Sequence, residues 1–424
     1  MTNSDFAPSK VTIVTRDTIP GAQVSQGLLD RVNGKFFTRW DREWGGSSLL
    51  CGRVPTSDAV RLDGNDYLSI SGHPTIVGSQ VAALKGDNQY VVQSGIFHFD
   101  DHPSRRFERC MAAWIGHSDG VLYQSGYMAN IGLMQAIADE NTPVYIDALA
   151  HTSLWEGARA AKAPTFAFRH NDPSHLARQI ERHGPGVVVV DSVYSTTGAL
   201  CPLLDILEVS ERFRSMIVVD ESHSLGTHGP SGRGLCASLG VLDRVHFITA
   251  SLAKAFAARA GFITVPSVLR NYLISESFPT MFSSSLLPHE ISALFATLEV
   301  IQASDLARKR LFANTQRIRQ SLLELGYPIA HGSEQIIALE AGSEPNTKVL
   351  RDALEAHKVF GAVFCAPATS KNRSMVRLTL HASLTEFEMT HIEAVAEKIA
   401  PTVRPDLWPL SRKQLAVRQP LVCA

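Results

Sequence analysis

The sequence predicts an α/β fold: a mostly parallel central sheet with a smaller C-terminal α/β domain. Two observations carry this. From about residue 75 onward, short runs of β-branched residues recur, most of them apolar on both faces, as a strand covered on both sides requires. Amphipathic helical segments separate several of these runs, and that alternation implies right-handed crossovers between parallel strands. The 424-residue length accommodates one large domain and a smaller one.

Residues 1–64 read as an N-terminal segment of mixed periodicity, with one helix near 26–39 and an aromatic stretch from Phe36 to Trp44. The large domain spans 65–300. Its expected strands are 120–123, 144–146, 187–190, 216–219, 245–248 and 261–265, and its clearest helices are 173–183 and 203–213. The four valines at 187–190 are core. A long helical pattern over 290–306 leads into the small domain, 301–403, with strands at 335–339 and 375–380 and a helix at 384–399. Residues 404–424 read as an extended surface tail.

Composition removes several function classes. Hydrophobic residues at 45% and charged residues at 19% exclude a disordered chain. A net charge of −1 supplies no long-range field for nucleic acid or an anionic membrane. The six cysteines are scattered with no Cys-x-x-Cys pair, which argues against a disulfide framework or a zinc knuckle and for reduced thiols in the cytoplasm. Neither a signal-type leader nor a membrane-spanning apolar run is visible, so a cytoplasmic protein without membrane or nucleic-acid partners is expected.

The chemically active residue types cluster just past the end of each strand. Gln124, Ser125, Gly126 and Tyr127 come after the first run; Asp147 and His151 come after the next. Asp191 and Ser195 come after the valines, then Asp220 and His223, then Ser251 and Lys254. Ligands of parallel sheets bind beyond the carboxyl ends of the strands, so five such endings suggest one shared site. A lysine among small residues can form a Schiff base with an aldehyde. An acid ending a buried strand can keep a pyridinium nitrogen protonated. Ser125, Gly126 and Tyr127 opening a helix offer N–H groups and hydroxyls to a phosphate, Ser251 adds a hydroxyl, and His151 could lie against a ring or move a proton. Together these describe a pyridoxal-phosphate site, with no metal.

At these residues the chain resembles the α-oxoamine synthases, a family within the fold-type I pyridoxal-phosphate enzymes. The likeness rests on Asn65-Asp66-Tyr67-Leu68, Ser125-Gly126-Tyr127 with Asn130, His151-Thr152-Ser153-Leu154, and Ser195 to Gly198. It continues through Asp220, Glu221, His223, Ser224 and Gly226, then Lys254-Ala255-Phe256, Ser283 to Leu286, and Arg377 to Leu380, in family order across about residues 60 to 400. Longer strings around 144–159, 182–186, 220–230, 245–254 and 364–372 resemble the branch that makes quorum-sensing autoinducers. The resemblance implies that an amino acid is condensed with an acyl-coenzyme A, releasing coenzyme A and carbon dioxide to leave an α-aminoketone. For this branch the donors are 2-aminobutyrate or S-adenosylmethionine with medium-chain acyl groups.

Position by position, the resemblance implies that Lys254 carries the cofactor and moves the α-proton. Asp220 holds the pyridinium, His223 bonds the phenolic oxygen with help from Ser195, and His151 stacks on the ring. Ser125, Gly126, Tyr127 and Ser251 hold the phosphate. Ser283 and Ser284 reach the partner's phosphate in a homodimer. Arg377 grips the substrate carboxylate, with Asn65 and Tyr67 beside it. The chain departs from the family at Ala257 and Ala260, where many members have glycine, and at 94–97, which lacks a glycine-rich loop. Both departures argue against glycine as donor. Within the fold, the alternative is a housekeeping 8-amino-7-oxononanoate synthase or glycine C-acetyltransferase. Outside it, His223, His228 and Glu221 could suggest a metal-dependent hydrolase, although no His-Glu-x-x-His is present. Taken alone, His151 could merely start a helix, Ser195 and Asn65 could be turn residues, and Arg377 could be a structural ion pair.

Overall fold

A computed structural model of the chain describes residues 25–86, 92–329 and 332–409. The first part of the N-terminal segment and most of the tail lie outside those residues. The main sheet contains seven strands: β2 (Asp119–Tyr123), β3 (Val144–Asp147), β4 (Thr165–Phe168), β5 (Val187–Asp191), β6 (Met216–Asp220), β7 (Phe247–Ser251) and β8 (Gly261–Val265). They lie in the order β2-β8-β7-β6-β5-β3-β4. All neighbours are parallel except at β8, which is antiparallel to both β2 and β7. β5 shows why the sheet folds from its sequence. Val187 to Val190 are fully buried between helices on both faces, an environment that suits β-branched side chains.

A second sheet has the order β1-β10-β11-β9, with β1 (Val60–Leu62), β9 (Ile336–Gly342), β10 (Val359–Phe364) and β11 (Ser374–Thr379). β1 pairs parallel with β10, so the chain before residue 64 is built into the small sheet. Trp44 and Leu49 bury against Cys365 just beyond β10. Segments far apart in sequence thus meet in one unit.

Several expected elements shift. The 245–248 run becomes β7 two residues later, because Val245 and His246 belong to the approach from a 3-10 turn. The single helical pattern over 290–306 resolves into Pro288–Gln302 and Asp305–Glu324, broken where the Ser304 hydroxyl bonds back to the Val300 carbonyl. The helix near 26–39 runs from Gln26 to Arg42 and includes a π-helical stretch, Val32–Phe37. No helix among the described residues is long and apolar enough to cross a membrane.

Candidate active site

Because β8 alone runs against the others, the carboxyl ends of β2, β3, β5, β6 and β7 share one edge of the sheet. Asp220 closes β6 there, only 4% exposed. Its Oδ1 accepts from the Ser222 N–H at 2.8 Å, and its Oδ2 accepts from Asn130 Nδ2 at 2.8 Å. Asn130 also donates to Ser153 Oγ at 2.8 Å. Asp220 makes no ion pair with any described lysine, arginine or histidine. A buried carboxylate oriented by amides alone is poised for a cationic partner.

Lys254 follows β7 in a turn that returns the chain to β8, closed by Ala257 N–H to Lys254 O and Leu252 N–H to Ala260 O, each 2.9 Å. Ala257 takes a positive φ of 48° in that turn. Burial lowers the pKa of the Lys254 amine, the Arg377 charge lowers it further, and Asp220 opposes both. A lysine so placed loses its proton more readily, which a nucleophilic amine requires.

His223 is buried, and its Nδ1 lies 2.5 Å from the Tyr67 hydroxyl. Burial, reinforced by Lys254, Arg377 and His151, pushes its imidazole well below the usual histidine range. Tyr67 is fully buried as well, and burial raises its phenol. Tyr67 therefore backs His223 and does not line an open pocket. His151 is exposed at the rim and caps the helix Thr152–Ala160 through its Nδ1, so the plain helix-start reading also holds. Desolvation lowers its pKa, Asp220 raises it and Lys254 lowers it. Asp191 accepts from the His151 N–H at 3.2 Å, and burial drives its carboxyl well above the ordinary value.

Arg377, on β11, is 4% exposed. One terminal nitrogen donates to the Ser195 carbonyl at 2.8 Å and the other to Asn65 Oδ1 at 2.9 Å. Its Nε is buried without a partner, and no carboxylate pairs with it among the described residues. The reading of Arg377 as a structural ion pair is thereby removed. Asn65 and Ser195 hold the guanidinium, Ser195 through its backbone oxygen.

Ser125 caps the helix Gly126–Ile137, accepting from the Met128 N–H. The N–H groups of that first turn open at the same sheet edge, where the helix end favours an anion. A Cβ on Gly126 would sit 2.5 Å from Ser251 Cβ and 2.7 Å from Ser251 Cα, and one on Gly261 would sit 2.2 Å from the Ser125 carbonyl oxygen. These glycines let the helix end, Ser125 and Ser251 close into one cradle. Tyr127 is 40% exposed on the same turn. Ser283 and Ser284 are both exposed, on a segment whose backbone bridges Ser94 and accepts from Gln124 Nε2 at 2.5 Å.

The donor set fits pyridoxal phosphate: an amine, a buried unpaired carboxylate and a glycine-built helix end gather at one edge. Gly126→Ala is expected to weaken cofactor binding at least about tenfold, since the added methyl meets rigid backbone. Titrating the apoprotein with the cofactor checks this, and undiminished affinity would remove the cradle. The His223–Glu221–His228 set does not gather as ligands: His228 bonds Glu334 at 2.7 Å while His223 bonds Tyr67, and no cluster of three or more histidine, cysteine or carboxylate groups forms among the described residues. Asn130 belongs to a matched motif, yet the sequence alone assigns it no role. Its signal is an amide on the otherwise apolar buried face of its helix. Glu221, beside Asp220, is also buried, and burial lifts its carboxyl to about 7.

The family model for class I and II aminotransferases matches residues 57–395. The CAI-1 autoinducer synthase of Vibrio campbellii (strain ATCC BAA-1116) is 48% identical over 344 residues, covering 81% of this chain and 87% of that protein. The 8-amino-7-oxononanoate synthase of Anaeromyxobacter dehalogenans (strain 2CP-C) is 30% identical, with 84% and 90% covered. Among solved structures, Sphingomonas wittichii serine palmitoyltransferase superposes with a TM-score of 0.81 at 22% identity, over 90% of this chain and 100% of that one.

Proposed function

Because the chain belongs to the class I and II aminotransferase family, and within it to the α-oxoamine synthases, we propose that it condenses an amino acid with a medium-chain acyl-coenzyme A, making the α-aminoketone precursor of a quorum-sensing autoinducer. The chain is a pyridoxal-phosphate-dependent acyltransferase of a class that joins an amino acid to an acyl-coenzyme A. The proposed donor is 2-aminobutyrate or S-adenosylmethionine. The observation that carries this reading is Arg377, a buried guanidinium without a carboxylate partner among the described residues, whose charge is felt by Lys254. The 48% identity to an autoinducer synthase supports the product class.

When bound, pyridoxal phosphate supplies an aldehyde for amines and a protonated ring that draws electrons from a breaking bond. The chain's residues do the rest. Lys254 would anchor the cofactor through Nζ and, once released, take the proton from the donor's α-carbon. Asp220, fixed by Asn130 and Ser222, would keep the ring nitrogen protonated. His223, held by Tyr67, would bond the phenolic oxygen, and His151 would cover the ring face. Ser125, Gly126, Tyr127 and Ser251 would bind the phosphate, and Arg377 would orient the donor carboxylate. The assembly would be a cytoplasmic homodimer in which the exposed Ser283 and Ser284, beside the 74%-exposed Phe282, meet a second copy.

Coenzyme A thiol release from decanoyl-coenzyme A, with the amino acid varied, tests the reading. 2-Aminobutyrate or S-adenosylmethionine should drive release, and glycine, alanine and serine should not. Preference for alanine or glycine would place the enzyme with the housekeeping synthases.

A further inference from the structure

Arg377 is set by an aromatic ring as well as by hydrogen bonds. β10 and β11 pair antiparallel, with Ala362 opposite Arg377 and Phe364 opposite Met375. Residues two apart on a strand share a face, so Phe364 is the diagonal neighbour of Arg377 on that face. The Arg377 Cζ lies 4.6 Å from the centre of the Phe364 ring. The other partners are the Ser195 carbonyl and Asn65 Oδ1. All three hold the guanidinium, and none neutralises it. A carboxylate in any of these places would compete with a substrate carboxylate, whereas a ring fixes the plane and leaves the charge available.

The chain directly after Phe364 is itself held in place. Cys365, the next residue, is buried against Trp44 and Leu49. Arg39 donates to the Ala366 carbonyl at 2.8 Å and is paired with Glu344, which also accepts from Trp44 Nε1 at 2.6 Å. Arg39 of the N-terminal helix, with Trp44 and Leu49 just past it, thus anchors the two residues that follow Phe364.

We propose that Phe364 is a positioning residue that holds the Arg377 guanidinium flat for a two-point grip on the donor carboxylate, with Arg39, Trp44 and Leu49 fixing the backbone next to it. This rests on Arg377 being the group that binds the donor carboxylate. The test compares Phe364→Leu, Phe364→Tyr and Arg377→Lys. Affinity for 2-aminobutyrate is read from the change it causes in the visible absorbance of the holoenzyme, and KM for decanoyl-coenzyme A is read separately. Phe364→Leu should weaken amino-acid binding about tenfold, the scale of a desolvated cation–π contact. KM for the acyl donor should stay within about twofold. Phe364→Tyr, which keeps the ring, should restore most of the lost affinity. Arg377→Lys should weaken amino-acid binding at least as much as Phe364→Leu. An unchanged affinity in Arg377→Lys would overturn the carboxylate reading itself. A loss in Arg377→Lys without one in Phe364→Leu would overturn only the positioning role, as would equal loss for both substrates or no rescue by tyrosine. If Phe364→Leu does not fold, Phe364→Met carries the same comparison.

Discussion

Lys254→Ala is expected to remove turnover by a factor of at least about a thousand, and with it the visible absorbance of covalently held cofactor. Both losses trace to one nitrogen. Lys254 is the lysine brought to the carboxyl edge of the sheet beside Asp220 and Arg377, and its amine is already biased toward the neutral form by burial. The neighbouring turn is closed by backbone bonds that the substitution leaves in place. The variant should therefore fold, and melting temperature serves as the control. Visible absorbance that survives the substitution and is still quenched by borohydride would mean another lysine carries the cofactor.

Asp220→Asn should lower kcat about a hundred- to a thousandfold while some cofactor is retained, the scale of losing a preorganised charge at a reacting centre. Asparagine keeps the shape and its one amide oxygen can still accept from the Ser222 N–H, while its NH2 can only donate, so Asn130 must turn its amide over and accept through the Oδ1 that now has no partner. The negative charge that keeps the ring nitrogen protonated is lost. Asp220→Ala should fall at least as far. Normal turnover in Asp220→Asn, measured by coenzyme A release under saturating substrates, would show that the ring needs no carboxylate here.

The parts of the site legible in the sequence are those that come directly after a buried strand. Asp220 ends β6 and Lys254 lies three residues after β7, so strand periodicity and one local motif placed both. The residues that orient them are distant in the chain. Asn130 reaches Asp220 across 90 positions, and Tyr67 reaches His223 across 156. Such pairs form only when crossovers bring separate strand ends together, and no local period encodes them. Fold elements divide in the same way. The 187–190 valines announced β5, but β4 is a four-residue strand at the sheet's margin, with three of its residues at least partly open, and it presents no buried run. β1 has three residues and depends on β10, some 300 positions later, for its pairing. His151 is both a helix cap and a member of the cluster, two roles that the sequence alone sets against each other.

Condensation with loss of the donor carboxylate is tested most directly by mass spectrometry of the product. Incubated with decanoyl-coenzyme A and 2-aminobutyrate, the holoenzyme should yield an aminoketone that contains the whole acyl chain and every amino-acid carbon except the carboxyl. Free decanoic acid as the sole product, or a product that keeps the carboxyl carbon, would contradict this chemistry.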